Sequence, residues 1–550
     1  MSQGRRFLRM LTGVYLLLSG LAKAEDATKP VVTVVQGSIK GISTTVPGVS
    51  SPVHKFLGIP FAAPPERFSP PTVPGPFVPN PYDGSTLKPA CIQEFNCKLL
   101  TTSLFGGCSV HGESEWLLTI VIDPENTRAF TMALFNNPPP PSESEDCLYL
   151  NVFTPVIANH TADRSTLLPV LVWIYGGGLQ FGYGGLPVYD GSSIAGHQGV
   201  LVVTFNYRTN VFGFPNSPEL PLSKSNLGFL DQRQALAWIQ DNIASFGGDP
   251  SKVTIFGESA GGISVDNLIT SSYYTPPFRA GIMQSGQDSS RTIAEQQAPA
   301  FGGQSWATLV SGLNCTNATS QLACVRAADA LTIKSVAEHA GLQFWRITDN
   351  VTRVSNPSQR RKEGLIANVP ILIGTNAQEG TVSTYGQSDI NAYIQATFPG
   401  NETLQKEVQA AYPVGRDGLL TNFSVIAQIE TDFIFHCRAA TLANINLAHY
   451  PTFRYFYNSS FANIQPFPEL GVYHSSEIAL VFGNLPPNAT KEELALSKVM
   501  QKAWADFAKH PVQGPGWSED VVAEFTVHGI KNVTAGELDQ KCGLFRFDSP

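Results

Sequence analysis

The chain has 550 residues, 43% of them hydrophobic and 15% charged, with a formal net charge of −8 and eight cysteines. That is enough for one large domain or two ordinary ones. The acidity, with no run of Lys and Arg to interrupt it, argues against a nucleic-acid partner, whose phosphates need neutralising.

Residues 1–24 have the layout of a secretory signal peptide. Arg5, Arg6 and Arg9 precede an apolar stretch, Leu11 to Leu21, and Ala22-Lys23-Ala24 offers a small-x-small cleavage pattern. An apolar stretch of 11 residues is too short for a bilayer, which needs about 20. No later segment is long and apolar enough, and Phe547-Asp548-Ser549-Pro550 is no hydrophobic tail, so no stable membrane anchor is expected. Cleavage takes away four positive charges and leaves a secreted chain, 25–550, of net charge −12. In that oxidising route the cysteines are expected to pair. None stand as CxxC or with His at zinc spacing, so no metal is expected. Nine Asn-x-Ser/Thr sequons (Asn159, Asn314, Asn317, Asn350, Asn401, Asn422, Asn458, Asn488 and Asn532) fit a glycoprotein.

Beyond a stiff Pro138–Pro141 connection, strand-like and helix-like patterns alternate. Pro169–Tyr175, Val200–Phe205, Lys252–Phe256 and Val369–Ile373 are nearly continuous apolar runs of strand length, which suit strands buried on both faces. Leu236, Ile239, Ile243 and Phe246 make one helical face that ends at Gly247-Gly248. About 380 to 450, and Glu492 to Lys509, read as helical. The class is therefore α/β, a mostly parallel sheet flanked by helices, and one domain over 25–550 is the simplest organisation.

Gly257-Glu258-Ser259-Ala260-Gly261 follows the third of these strands and precedes a predicted helix, which is the context required of a G-x-S-x-G nucleophile. A serine at so sharp a turn has a strained backbone, and glycines two residues away relieve the crowding. The helix N-terminus beside it favours a developing oxyanion. Tyr175-Gly176-Gly177-Gly178 closes the first strand, so the N–H groups of Gly177, Gly178 and Ala260 form a candidate oxyanion hole. It contains no G-x-G-x-x-G, which weakens a dinucleotide reading, and no cofactor is expected. The order Ser, acid, His places the acid after a later strand. Glu379 in the loop after Ile373 is the candidate, although position alone leaves an ordinary exposed carboxylate open. Of the histidines that follow (His436, His449, His474, His510 and His528), His474 lies in a loop entering a new helical run and is the best base.

Further stretches widen the pattern: Phe56–Ala62 with Arg67-Phe68, Ser144–Val152, Asn206-Tyr207-Arg208, Asn226–Gln232 and Phe246–Pro250. With the serine motif, Glu379-Gly380, and His474 with Glu477, they span nearly the whole mature chain, which resembles the type-B carboxylesterase/lipase family of cholinesterases and secreted fungal esterases and lipases. The resemblance implies the α/β-hydrolase fold, a Ser259–Glu379–His474 triad, a Glu145–Arg67 ion pair and the disulfides Cys91–Cys147, Cys315–Cys324 and Cys437–Cys542. Cys97 and Cys108 remain as a further pair. Residues 91–147 form a loop longer than is usual in that family. Its apolar segments, Trp116–Ile122 and Phe130–Phe135, make it either a lid-like cover or a loop packed on the domain. Gln378 stands where many members have Asp, with little effect expected.

The reaction these residues suit is hydrolysis of a small-molecule or lipid ester through an acyl-enzyme. An esterase or acyltransferase tailoring a biosynthetic intermediate would use the same triad. A non-catalytic scaffold relative is opposed by the complete triad.

Overall fold

A computed structural model describes residues 29–95, 124–156, 166–271, 275–289 and 302–547. The expected signal peptide, Cys97, Cys108, Asn159 and the apolar run Trp116–Ile122 lie outside the described residues.

The strands, in chain order, are β1 (Val31–Val34), β2 (Gly37–Lys40), β3 (Ile42–Thr44), β4 (Val53–Pro60), β5 (Tyr82–Asp83), β6 (Tyr149–Pro155) and β7 (Leu168–Ile174). They continue with β8 (Leu201–Phe205), β9 (Gly248–Glu258), β10 (Ala280–Gln284), β11 (Ile371–Asn376), β12 (Thr452–Tyr457), β13 (Val522–Thr526) and β14 (Gly529–Val533). Eleven of them form one sheet in the order β14-β13-β12-β11-β10-β9-β7-β8-β6-β4-β3, while β1, β2 and β5 make a small separate sheet. From β8 to β13 every pairing is parallel, and antiparallel strands close both sides. The apolar runs therefore stand in the centre: every residue of β8, β10 and β11 is buried, as strands covered on both faces must be.

The helices used below are α1 (Pro124–Phe135), α2 (Leu227–Asn242), α3 (Ala260–Ser271), α4 (Pro357–Lys362), α5 (Asn422–Glu430), α6 (Cys437–Leu447) and α7 (Lys491–Lys509). Helix α7 begins on a capping box in which the Thr490 hydroxyl accepts from Glu493 N–H and the Glu493 side chain returns to Thr490 N–H. Its apolar face carries Met500, Trp504 and Phe507 into the core.

Two expectations need adjusting. The α-helix of the Leu236–Phe246 face ends at Asn242, continues as a 3-10 turn over Ile243–Phe246 and stops at Gly247, whose φ is 88°. Gly248 already belongs to β9. The face was real, but its last turn is tightened against the incoming strand. The stretch 380–450 is helical in pieces, with a π-helical turn, Thr431–His436, between α5 and α6. Cys91–Cys147, Cys315–Cys324 and Cys437–Cys542 are bonded.

Candidate active site

Strand β9 delivers Ser259 at the carboxyl edge of the sheet, and α3 leaves immediately after it. Ser259 has a φ of 55°, the left-handed conformation expected of a residue in so sharp a turn. It is held there because its N–H donates to Gln284 O at 2.8 Å and its carbonyl accepts from Ile263 N–H at 2.9 Å. The need for glycine nearby is steric: a Cβ on Gly261 would overlap the carbonyl oxygen of Ile174. The glycine loop after β7 runs beside this turn. A Cβ on Gly176 would stand 3.0 Å from that of Ser259 and 2.8 Å from Glu258 Oε2. Gly177 and Gly178 follow with φ of 94° and 62°, and Ala260 is the first residue of α3.

Strand β11 ends at Asn376, and the chain turns back so that Glu379 is 1% exposed. Its Oε1 accepts from Asn376 N–H at 2.6 Å and from the Ser285 hydroxyl. Its Oε2 lies 2.6 Å from His474 Nδ1. The loops carrying Glu379 and His474 are also laced together by Gln378, whose Oε1 accepts from Val472 N–H at 2.8 Å. The residue that departs from the family pattern thus has a structural use. Beside the imidazole, the π-helical turn presents Phe435, with ring centroids 4.8 Å apart.

The structure brings in groups the sequence reading had not assigned roles. Glu258, 2% exposed, places Oε1 3.1 Å from His474 Nε2 and accepts from the Ser475 hydroxyl at 2.6 Å. Glu477, fully buried, accepts from Gln284 Nε2 at 2.9 Å and Asn376 Nδ2 at 2.7 Å, and Trp504 Nε1 donates to Gln284 Oε1. Glu258 and Glu477 were visible as motif letters, but the contacts span from 101 to 217 residues of sequence, and no local periodicity marks them.

The electrostatics follow from this crowding. Burial pushes the Glu258 carboxyl up; His474 opposes that, and Glu477 and Glu379 add to it. Burial and then Glu379 push Glu477 up as well. Burial disfavours the His474 imidazolium, but Glu258 and then Glu379 outweigh it, so the imidazole is pushed up to about 9. The His474–Glu258 pair accordingly holds a proton at neutral pH, and Nε2 becomes a free base as pH rises.

Around this centre, Arg67 grips Glu145 in a two-pronged contact, 2.7 Å from Nε and 2.5 Å from the second nitrogen, next to the Cys91–Cys147 bridge. The described part of the 91–147 loop is packed down. Phe130 of α1 stacks on Tyr385 and Phe467, and Phe95 and Phe135 stack on Phe181 of the glycine loop. Elsewhere His436, Asp539 and Cys542 come together. Cys542 is bonded to Cys437, and Arg454 shares Asp539, so this trio is not arranged to hold an ion. The sequon asparagines among the described residues are all exposed.

Comparison with known proteins gives a consistent picture. Residues 28–525 match the model of the Carboxylesterase family. The chain is 31% identical to the liver carboxylesterase of Sus scrofa, over 90% of this chain and 88% of that one. It is 30% identical to secreted lipase 5 of Gibberella zeae, over 89% and 91%. A solved structure of PNB esterase superimposes with a TM-score of 0.70 at 29% identity, covering 94% of this chain and all of that one.

Proposed function

The chain belongs to the carboxylesterase family and is a carboxylic ester hydrolase of the α/β-hydrolase fold; on that premise we propose that it is an exported glycoprotein that cleaves small-molecule or lipid esters with Ser259, His474 and Glu379. The observation that carries this reading is the His474 Nδ1–Glu379 Oε2 contact of 2.6 Å, made by loops that meet at the edge where Ser259 stands on its strained turn.

In the proposed cycle, His474 Nε2 leaves Glu258 and takes the Ser259 proton as Oγ attacks the ester carbonyl. The N–H groups of Gly177, Gly178 and Ala260 receive the negative oxygen, each donor lowering the barrier by about 3 kcal/mol. His474 then protonates the departing alcohol, and water, activated by the same nitrogen, releases the acid. Glu379, held by Asn376 and Ser285, fixes the ring and steadies its charge. The leader-like residues 1–24, the exposed sequons and a secreted lipase among the relatives support export. That relative and the apolar 91–147 loop also favour lipid esters as substrates.

The test is hydrolysis of p-nitrophenyl esters of increasing acyl length, with an emulsified long-chain ester alongside. Ser259→Ala is expected to lower kcat about 10⁴-fold or more on every substrate. A Ser259→Ala protein that kept its activity would refute the assignment, and wild-type inactivity on emulsions would remove the lipid half of it.

A further inference from the structure

The turn that presents His474 contains a residue whose backbone and side chain pull in different directions. Ser475 has a φ of 76°, where a side chain is strained and glycine is the ordinary occupant. The turn does not need a hydroxyl to close, because backbone bonds do it: Ser476 N–H donates to Tyr473 O at 3.0 Å and Ile478 N–H to Ser475 O at 3.2 Å. The hydroxyl is spent elsewhere. It donates to Glu258 Oε1 at 2.6 Å, the same oxygen that faces His474 Nε2 at 3.1 Å. One carboxylate oxygen of the residue before Ser259 therefore gathers two successive residues of the base loop.

We propose that Ser475 is a positioning residue whose hydroxyl turns the Glu258 carboxyl onto His474 Nε2 and favours its charged form, and so helps to set the pH at which the base becomes available. The inference rests on the triad reading above and deepens it. A hydroxyl donating to a carboxylate favours its charged form. Glu258 needs that help, since it is buried and faces Glu477 and Glu379 as like charges, with His474 and the Ser475 hydroxyl opposing them. The phenols of Tyr189, Tyr207 and Tyr455 also lie within its field. His474 in turn faces Glu258, Glu379 and Glu477, and the ring of Phe435. The charged form of Glu258, which the Ser475 hydroxyl favours, in turn favours the imidazolium. Once the hydroxyl is gone, Glu258 holds its proton to higher pH, the foremost of the carboxylate fields on His474 weakens, and Nε2 is freed at lower pH.

The experiment compares full-length secreted wild type, Ser475→Gly, Ser475→Ala, Glu258→Gln and the Ser475→Gly/Glu258→Gln double variant. It follows kcat/KM for p-nitrophenyl butyrate from acid to alkaline pH, with active sites counted by stoichiometric fluorophosphonate labelling so that misfolded protein does not enter. Ser475→Gly suits the positive φ, and Ser475→Ala checks that the effect belongs to the hydroxyl and not to the backbone. Both are expected to move the acid limb to lower pH by about half a unit or more, roughly a threefold gain on the limb relative to each variant's own plateau. In the Glu258→Gln background the Ser475→Gly shift is expected to vanish, because the residue through which it acts no longer titrates. An unmoved limb, with only a uniform loss of rate or a changed Tm, overturns the proposal. So does a shift that survives intact in the double variant. Failure of the triad itself is read separately, as activity or labelling that persists in Ser259→Ala.

Discussion

Two buried groups of charges lie along helix α3, and they are balanced in opposite ways. Ahead of its first residue, three carboxylates (Glu258, Glu379 and Glu477) gather round one imidazole. Further along, Asp266 is paired with Arg361, both without solvent exposure, and Arg361 also reaches Asn446. Next to it Asp288 takes Arg346 at 2.6 Å and Arg353 at 2.7 Å, while the N–H groups of Asp288 and Ser289 donate to Asp266 at 2.7 Å. The second group joins α3, α4, α6 and the segment after β10, and each of its carboxylates is paired with at least one guanidinium. The first crowds carboxylates together where the proposed mechanism moves a proton. Buried ions are paired where their only task is to hold elements together, and are left crowded where reactivity is wanted.

The sharpest way to break this contrast is to exchange the expected losses. Glu379→Gln is expected to lower kcat about 10⁴-fold while shifting Tm by only a few degrees, measured by ester turnover and thermal melting. A large fall in Tm with modest loss of turnover would place Glu379 with the structural ions instead. In the matched group, Arg361→Ala leaves Asp266 charged and buried, which is expected to cost about 3–5 kcal/mol. Denaturant melts should show that loss, while kcat per labelled active site stays near wild type.

The smallest effect is in the pH dependence of stability. Glu258 and Glu477 hold protons more tightly folded than unfolded. Their contribution is therefore full below the ordinary value of 4.5 and is lost as pH rises through their raised values. Asp539 behaves oppositely. Burial works against its ionised form, but hydrogen bonds from His436 and Arg454 hold it down at about 2. Its stabilisation is present above the ordinary 3.8 and is lost as pH falls towards about 2. Asp539→Asn should lower the unfolding free energy at pH 6 by at most about 2 kcal/mol, a deficit that disappears near pH 2. An equal deficit at both pH values would count against the charged contact.

The same contrast explains what could be read from the sequence. The central strands were legible because residues buried on both faces are apolar without alternation. The Ser259 turn was legible because its crowding demands glycines at fixed offsets. Glu379 and His474 were candidates from the Ser, acid, His order and their places in loops, but a loop carboxylate and one of five histidines carry little signature of their own, and the family resemblance strengthened both. The partners of those residues were not legible at all. Ser475 meets Glu258, and Arg361 meets Asp266, only after the sheet and helices have folded the chain back on itself. The 3-10 turn at Ile243–Phe246 and the π-helical turn at Thr431–His436 escaped for a related reason. Both keep the apolar spacing of a helix, and tertiary packing decides which kind of turn closes it.

The order of these pieces along the chain also sets a timetable. Ser259 leaves the ribosome 215 residues before His474, and translation at roughly 5–20 residues per second separates them by about 10–45 s. During that interval the proposed nucleophile has no proposed base, and for most of it the sheet also lacks β12. Of the supports described above, Trp504 is made last, and it steadies Gln284 and through it Glu477, so the proposed site is not fully braced until residue 504 has been made.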